Sequence, residues 1–288
     1  MASSTTRRDV YQDVTDTILE ALEQGTIPWR KPWATAGLQR NADSGRAYTS
    51  INQLLLQLSE FGDPRWVTFK GAKRMGGSVR KGERGRRVVF FKSLEVDDRD
   101  KPGRKKTIPM LKQYSVFNVT QCDGLDLEPL EVRAAEHEPI DAAQALLEGY
   151  ADCPAIAHGG DAAYYAPTED RIQLPEPSRF EDAESYYATA FHESVHSTGH
   201  TSRLDRGLGQ RVAPFGSADY SREELVAEFG AAFLSAEAGI SPATLPRSAG
   251  YIEHWMQMLK ADKKAAVWAA GRAQKAADYV QGREVAAG

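Results

Sequence analysis

The chain has 288 residues, 41% hydrophobic and 26% charged, the balance of a globular protein long enough for one large core or two modest ones. No apolar run approaches the ~18 residues of a membrane helix, so no membrane partner is expected. The two cysteines, Cys122 and Cys153, are too few and too far apart for a disulfide framework, and "MASSTTRRDVYQ" has no apolar secretory stretch, so a cytoplasmic protein with free thiols is expected.

The net charge of −4 is unevenly spread. Residues 1–135 carry 23 Lys and Arg against 17 Asp and Glu, whereas 136–288 carry 13 against 23. Between 65 and 106 there are 15 basic and 5 acidic side chains. A solvated charged face would account for such a run by itself, but the asymmetry also suits a first half that meets a polyanion.

In chain order, "DVYQDVTDTILEALEQ" places Val10, Val14, Ile18 and Leu22 at intervals of four and predicts an amphipathic helix over 9–24, closed by Gly25. "TIPWRKPW" follows, then "SGRAYTSINQLLLQLSE", a turn leading into a helix from about Ile51. "VVFFKSLEV" and "KQYSVFNVT" read as strands. The Gly, Lys and Arg tract between "WVTF" and "VVFF" reads as a flexible basic hairpin or loop that can approach a phosphate chain. Trp29, Trp33, Tyr48, Trp66, Phe69, Phe90 and Phe91 interleave with this charge, as in proteins that stack single-stranded nucleic acid on aromatic rings. Taken singly, each ring reads more readily as core; Phe90 and Phe91 face opposite sides of one strand, so only one of them is expected at the surface.

Residues 123–141, "DGLDLEPLEVRAAEHEPID", are acidic, proline-spaced and aperiodic, the pattern of a linker. The second half holds "YYATAFHESVHSTGH", in a stretch free of Pro and Gly from 182 to 198. Positions four apart share a helix face, so His192 and His196 can bind one metal, most naturally Zn2+. A divalent ion acidifies water, and Glu193, about 100° round the helix from His192, can take the proton during attack on a carbonyl. Two surface histidines on an ordinary helix remain the plainer alternative. A third ligand has to come from elsewhere. His200 lies beyond Gly199, and Ser202 stands where the long metzincin pattern needs histidine. "YSREELVAEFGAAFLSAE", 220–237, offers Glu223, Glu224 and Glu228, of which the last two share a face. A capping box from Ser221 to Glu224 competes, and would leave Glu228 as the ligand.

The ordered motifs "GTIPWRKPW", "SGRAYTSINQLLL", "WVTFKGAKRMGGSVRKGERG", "YYAPTEDRIQLP", "HESVHSTGHTSRLDR", "YSREELVAEFGAAFL" and "YIEHWMQMLK" cover almost the whole chain and resemble the ArdC-type antirestriction proteins of plasmids and phages. The first part also looks like a region shared with plasmid DNA primases. The resemblance implies an α+β protein with a small mixed single-stranded-DNA-binding domain at 1–125, a linker at 126–139 and a zincin-like metallopeptidase domain at 140–288. It implies His192, His196 and Glu224 as metal ligands, Glu193 as the catalytic base and Glu228 as support for a ligand. DNA contacts are expected at Lys70, Lys73, Arg74, Arg80, Lys81 and Arg84, with Trp66 stacking, and preference for single strands over duplex. "DRIQLP", 170–175, would be the edge strand beside a peptide substrate. The chain departs from the family at Ser50, where Gly is more usual, and no family motif accounts for His254. A long C-terminal helix should bury Ile252, Trp255, Leu259 and Trp268. Incoming DNA would be protected either by coating or by cleavage of a host protein.

Overall fold

A computed structural model describes residues 9–30, 38–59, 61–97, 105–128, 139–208, 218–240 and 249–285. Helix α1 (Val10–Glu23) starts at Asp9, whose carboxylate accepts the Tyr11 and Gln12 N–H groups. Its stripe of Val14, Ile18 and Leu22 is buried, and each such side chain contributes about 1.5–3 kcal/mol. A 3-10 turn at Pro28–Arg30 follows. Then come β1 (Arg40–Asn41), α2 (Ile51–Gln57), β2 (Arg65–Thr68), α3 (Phe69–Arg74), β3 (Ser78–Val79), β4 (Arg86–Asp97), β5 (Lys105–Asn118) and β6 (Cys122–Asp123).

These strands form a four-stranded sheet in the order β1-β2-β5-β4 and a small ribbon of β3 with β6. The β4 and β5 strands pair antiparallel from Arg86–Val116 outward to Asp97–Lys105. The Asn52 amide holds the sheet to α2 by exchanging two 2.8 Å hydrogen bonds with the Val89 backbone. The Gly, Lys and Arg tract is therefore no loose loop: Thr68 caps α3 through the Gly71 N–H, and β3 is pinned to β6.

Beyond the expected linker, of which 129–138 lie outside the described residues, come α4 (Pro139–Glu148), β7 (Ala155–His158), β8 (Tyr164–Ala166) and β9 (Arg171–Leu174). They are followed by α5 (Ala183–Ser197), α6 (Ala218–Ala238), α7 (Ala249–Ala261) and α8 (Ala265–Val280). The three-stranded sheet runs β7-β9-β8, so β9 is the central strand and β8, not the "DRIQLP" strand, lies at an edge. Ile172 and Leu174 on β9 are fully buried, which is why a central place suits it. The expected long C-terminal helix is broken at Asp262–Lys264, where Asp262 accepts the Lys264 N–H and starts α8. Trp255 and Leu259 are buried as expected, but Trp268 is 40% exposed with Arg272 stacked 4.3 Å from its ring centre.

Helix α6 is apolar almost all round from Leu225 to Ala238 and is accordingly buried. Around it, α4, α5, α7 and α8 share one hydrophobic core with α1, α2 and Trp29. Polar bonds tie the same elements together: the Thr15 hydroxyl donates to the Lys263 carbonyl, and the Ser50 N–H to Gln274 Oε1, both at 2.9 Å. Cys122 and Cys153 are free thiols, and burial pushes Cys153 up to about 11.

Candidate metal centre

Helix α5 is started by Asp182, which accepts the Ser185 N–H at 2.7 Å. It ends at Ser197, before Gly199, where a Cβ would lie 2.6 Å from Leu208 and 2.9 Å from Arg206. Glycine there lets the chain fold back so that Arg206 donates to the Val195 carbonyl and the Thr198 hydroxyl, satisfying the helix end. On α6, Gly230 faces Val195, and an added Cβ would stand 2.7 Å from its Cγ2. The two helices thus approach closely enough to set histidines and glutamates face to face.

His192 and His196 bring their Nε2 atoms to 3.1 Å of each other. Glu224 from α6 closes the triangle, with Oε1 at 3.4 Å from His196 Nε2 and Oε2 at 3.8 Å from His192 Nε2. All three donor groups lie within 4.8 Å of one another. The donors fit a divalent ion: tetrahedral ligands bonded at about 2.05 Å would stand about 3.3 Å apart, close to the edges found here. Glu193 is buried in the same patch.

Each ring offers its other nitrogen to a separate carboxylate. His196 Nδ1 is 3.4 Å from Glu223 Oε1, and His192 Nδ1 is 3.9 Å from Glu228 Oε1. Such partners fix the ring orientation of a metal-binding histidine. Arg206 grips Glu223 with two bonds, at 3.0 and 2.7 Å. Burial pushes the Glu223 carboxyl up, but Arg206 and His196 outweigh it and hold it below the usual carboxylate range. Burial likewise opposes a charge on His196, yet Glu223, Glu224 and Glu193 raise it to about 10. The pocket is built to stabilise positive charge.

The capping box does not form. Ser221 lies inside α6, which begins at Ala218, and its hydroxyl meets His254 Nε2, so Glu224 turns towards the histidines instead. That contact also accounts for His254. His200 bonds Ser202 outside the cluster. Sequence reading offered Glu223 only as a possible ligand, not as a partner of His196, and missed Arg206, whose one signal was an arginine past the helix end.

The basic residues lie at the surface. Lys70, Lys73, Arg74, Arg80, Lys81 and Arg84 are all exposed, although Arg74 pairs with Asp43, and Arg80 with Glu83 and Asp123. Trp66 is a correction: its ring is 1% exposed and its indole N–H donates to Gln39, so it cannot stack on a base. Trp29 and Tyr48 are buried too, and Trp33 lies outside the described residues. Among the described residues of the N-terminal part, the exposed large rings are Phe69, with Lys73 5.2 Å from its centre, and Phe90, Phe91 and Tyr114. Both Phe90 and Phe91 are exposed, against expectation, directly after the buried Val88 and Val89 on β4.

Two histidines one helical turn apart, met by a glutamate from the next helix beside a three-stranded sheet, define a zincin-like domain. The family described as zincin-like metallopeptidase matches residues 142–272, and the N-terminal domain of anti-restriction factor ArdC matches 8–117. The metal-free crystal structure of the antirestriction ArdC protein from the R388 plasmid is 40% identical, with a TM-score of 0.79 over 95% of this chain and 97% of that one. Its Mn(II)-bound form gives 39%, 0.76, 96% and 98%. An uncharacterized protein, y4eC, of Sinorhizobium fredii is 35% identical over 97% of this chain and 94% of its own. The chain belongs to the ArdC antirestriction family. The DNA primase TraC of Escherichia coli is 35% identical over 95% of this chain, which spans only 27% of that primase.

Proposed function

We propose that the protein shields DNA entering with a mobile element from host restriction in the cytoplasm, binding single strands without sequence preference and carrying a zinc peptidase centre. The convergence of His192, His196 and Glu224 beside the buried Glu193 carries the enzymatic part of this reading. His192, His196 and Glu224 would hold the ion, and a bound zinc ion supplies the Lewis acidity that acidifies water and polarises a peptide carbonyl. Glu193 takes the proton of the attacking water and delivers it to the departing amine. Glu223 and Glu228 keep the two imidazoles aimed at the centre. Edge strand β8 packs against α5, and its open side suits an extended peptide pairing as an added strand. Exposed Phe69, Phe90, Phe91 and Tyr114, set among the surface lysines and arginines, suit bases that are unpaired and free to stack, with duplex DNA binding more weakly.

The variant Glu193→Gln tests both parts. It should lower hydrolysis of an unstructured protein substrate by roughly 10²–10⁴-fold, the usual share of base catalysis. Affinity for an oligonucleotide should stay within about twofold, under ~0.4 kcal/mol. Wild-type protein loaded with zinc that cleaves no peptide bond in any partner tried would leave the centre a structural one.

A further inference from the structure

The residues assigned to the metal centre all fall within 142–272, the zincin-like region, but one contact reaches it from far outside. The indole N–H of Trp29 donates to Glu228 Oε2 at 3.1 Å, and Glu228 Oε1 faces His192 Nδ1. Trp29 sits in the Pro28–Arg30 turn, inside the segment that matches the ArdC N-terminal domain. Its ring is 1% exposed and is held edge-on by Phe229 at 4.9 Å and Trp255 at 5.2 Å.

We infer that Trp29 is a positioning residue of the metal centre, supplied by the N-terminal part of the chain, which sets metal affinity by orienting Glu228 against His192. The inference rests on the metal-centre reading above. A buried carboxylate needs donors to hold one rotamer, and the indole is a rigid donor with only two side-chain torsions. With Oε2 engaged by the indole, Oε1 is presented to the imidazole. The nitrogen facing Glu228 then keeps its proton and the other nitrogen keeps its lone pair for the ion. Such coupling is reciprocal, so a bound ion also strengthens the seating of the Trp29 turn on α6. The N-terminal part and the centre therefore act as one thermodynamic unit.

The test uses the full chain, stripped of metal and titrated with zinc against a chromophoric chelator. Trp29→Phe keeps a ring in the core and removes the N–H; its zinc Kd should rise roughly fivefold to tenfold, against roughly 10–100-fold for Glu228→Ala. Because the indole acts only through Glu228, the double variant should bind no more weakly than Glu228→Ala alone. Phe229→Leu, which loosens the same ring packing and leaves the N–H in place, should stay within about twofold. If Trp29→Phe fails to fold, benzothienylalanine at position 29 keeps the ring shape without the N–H and carries the same comparison. Unchanged affinity without the N–H, or effects of Trp29 and Glu228 that add fully, overturns the inference. A wild-type chain that takes up no zinc overturns the metal-centre reading itself.

Discussion

At Ser50 the backbone has φ 57° and ψ −138°, a region that glycine enters freely and other residues enter under strain. The resemblance leads one to expect glycine here, and the turn has the shape that glycine allows. The strain is local, because the Ser50 N–H still bonds Gln274 and α2 starts directly after it. Ser50→Gly should therefore stabilise the fold by about 1 kcal/mol, the relief of strain outweighing the extra entropy of the unfolded chain. Denaturant unfolding checks it, and an unchanged or lower midpoint would contradict the strain argument. His254 is the converse case: nothing in the sequence ties it to Ser221, 33 positions away, and only the packing of α7 on α6 does so.

The helices that carry the centre were legible as elements. The 3.6-residue pattern located α1, and the helices read over 182–198 and 220–237 located α5 and α6, each to within about two residues. Their approach distance was not legible, since it depends on Gly230 meeting Val195. Gly230→Ala should push α6 away from α5, costing about 1–2 kcal/mol after the helix-propensity gain of alanine. Zinc affinity should fall with it, because Glu224 rides on the same helix; loss of stability with full affinity would separate the two effects. Glu224→Ala should abolish zinc uptake, measured by elemental analysis after dialysis, whereas Glu228→Ala should retain a weaker site. The reverse outcome would make Glu228 the ligand.

Over the whole molecule, the charge division along the sequence puts the basic excess in the N-terminal part. Lys70, Lys73, Lys81 and Arg84 are all exposed there. Replacing the four by glutamine should weaken oligonucleotide binding and shallow its salt dependence, by roughly 3 in the slope of log K against log salt if all four touch phosphate. An unchanged slope would remove this face from the DNA site. Phe90→Ala with Phe91→Ala should instead lower affinity by about 1–3 kcal/mol per stacked base and leave the slope alone, since stacking releases no counterions. Protection of incoming DNA that survives Glu193→Gln would favour coating; its loss with DNA binding intact would make proteolysis the effector.

The pairing of His192 with His196 was readable in one dimension because i and i+4 on a helix meet by geometry alone, and so were the main helices and the basic bias of the first half. Burial of individual aromatic rings was not, because periodicity ranks the faces of one element but says nothing of what covers them. Trp66 and Trp29 went inside, while Phe90 and Phe91 on β4 stayed outside. Strand order could not be read either: β9 became central only because β7, which precedes it by about a dozen residues, pairs with it in parallel while β8 takes the other edge. The choice between Glu224 and a capping box, the Glu223–Arg206 pair and the reach of Trp29 to Glu228 all depend on contacts between segments distant in sequence. Those contacts exist only once the elements pack, which is why the tertiary structure had to supply them.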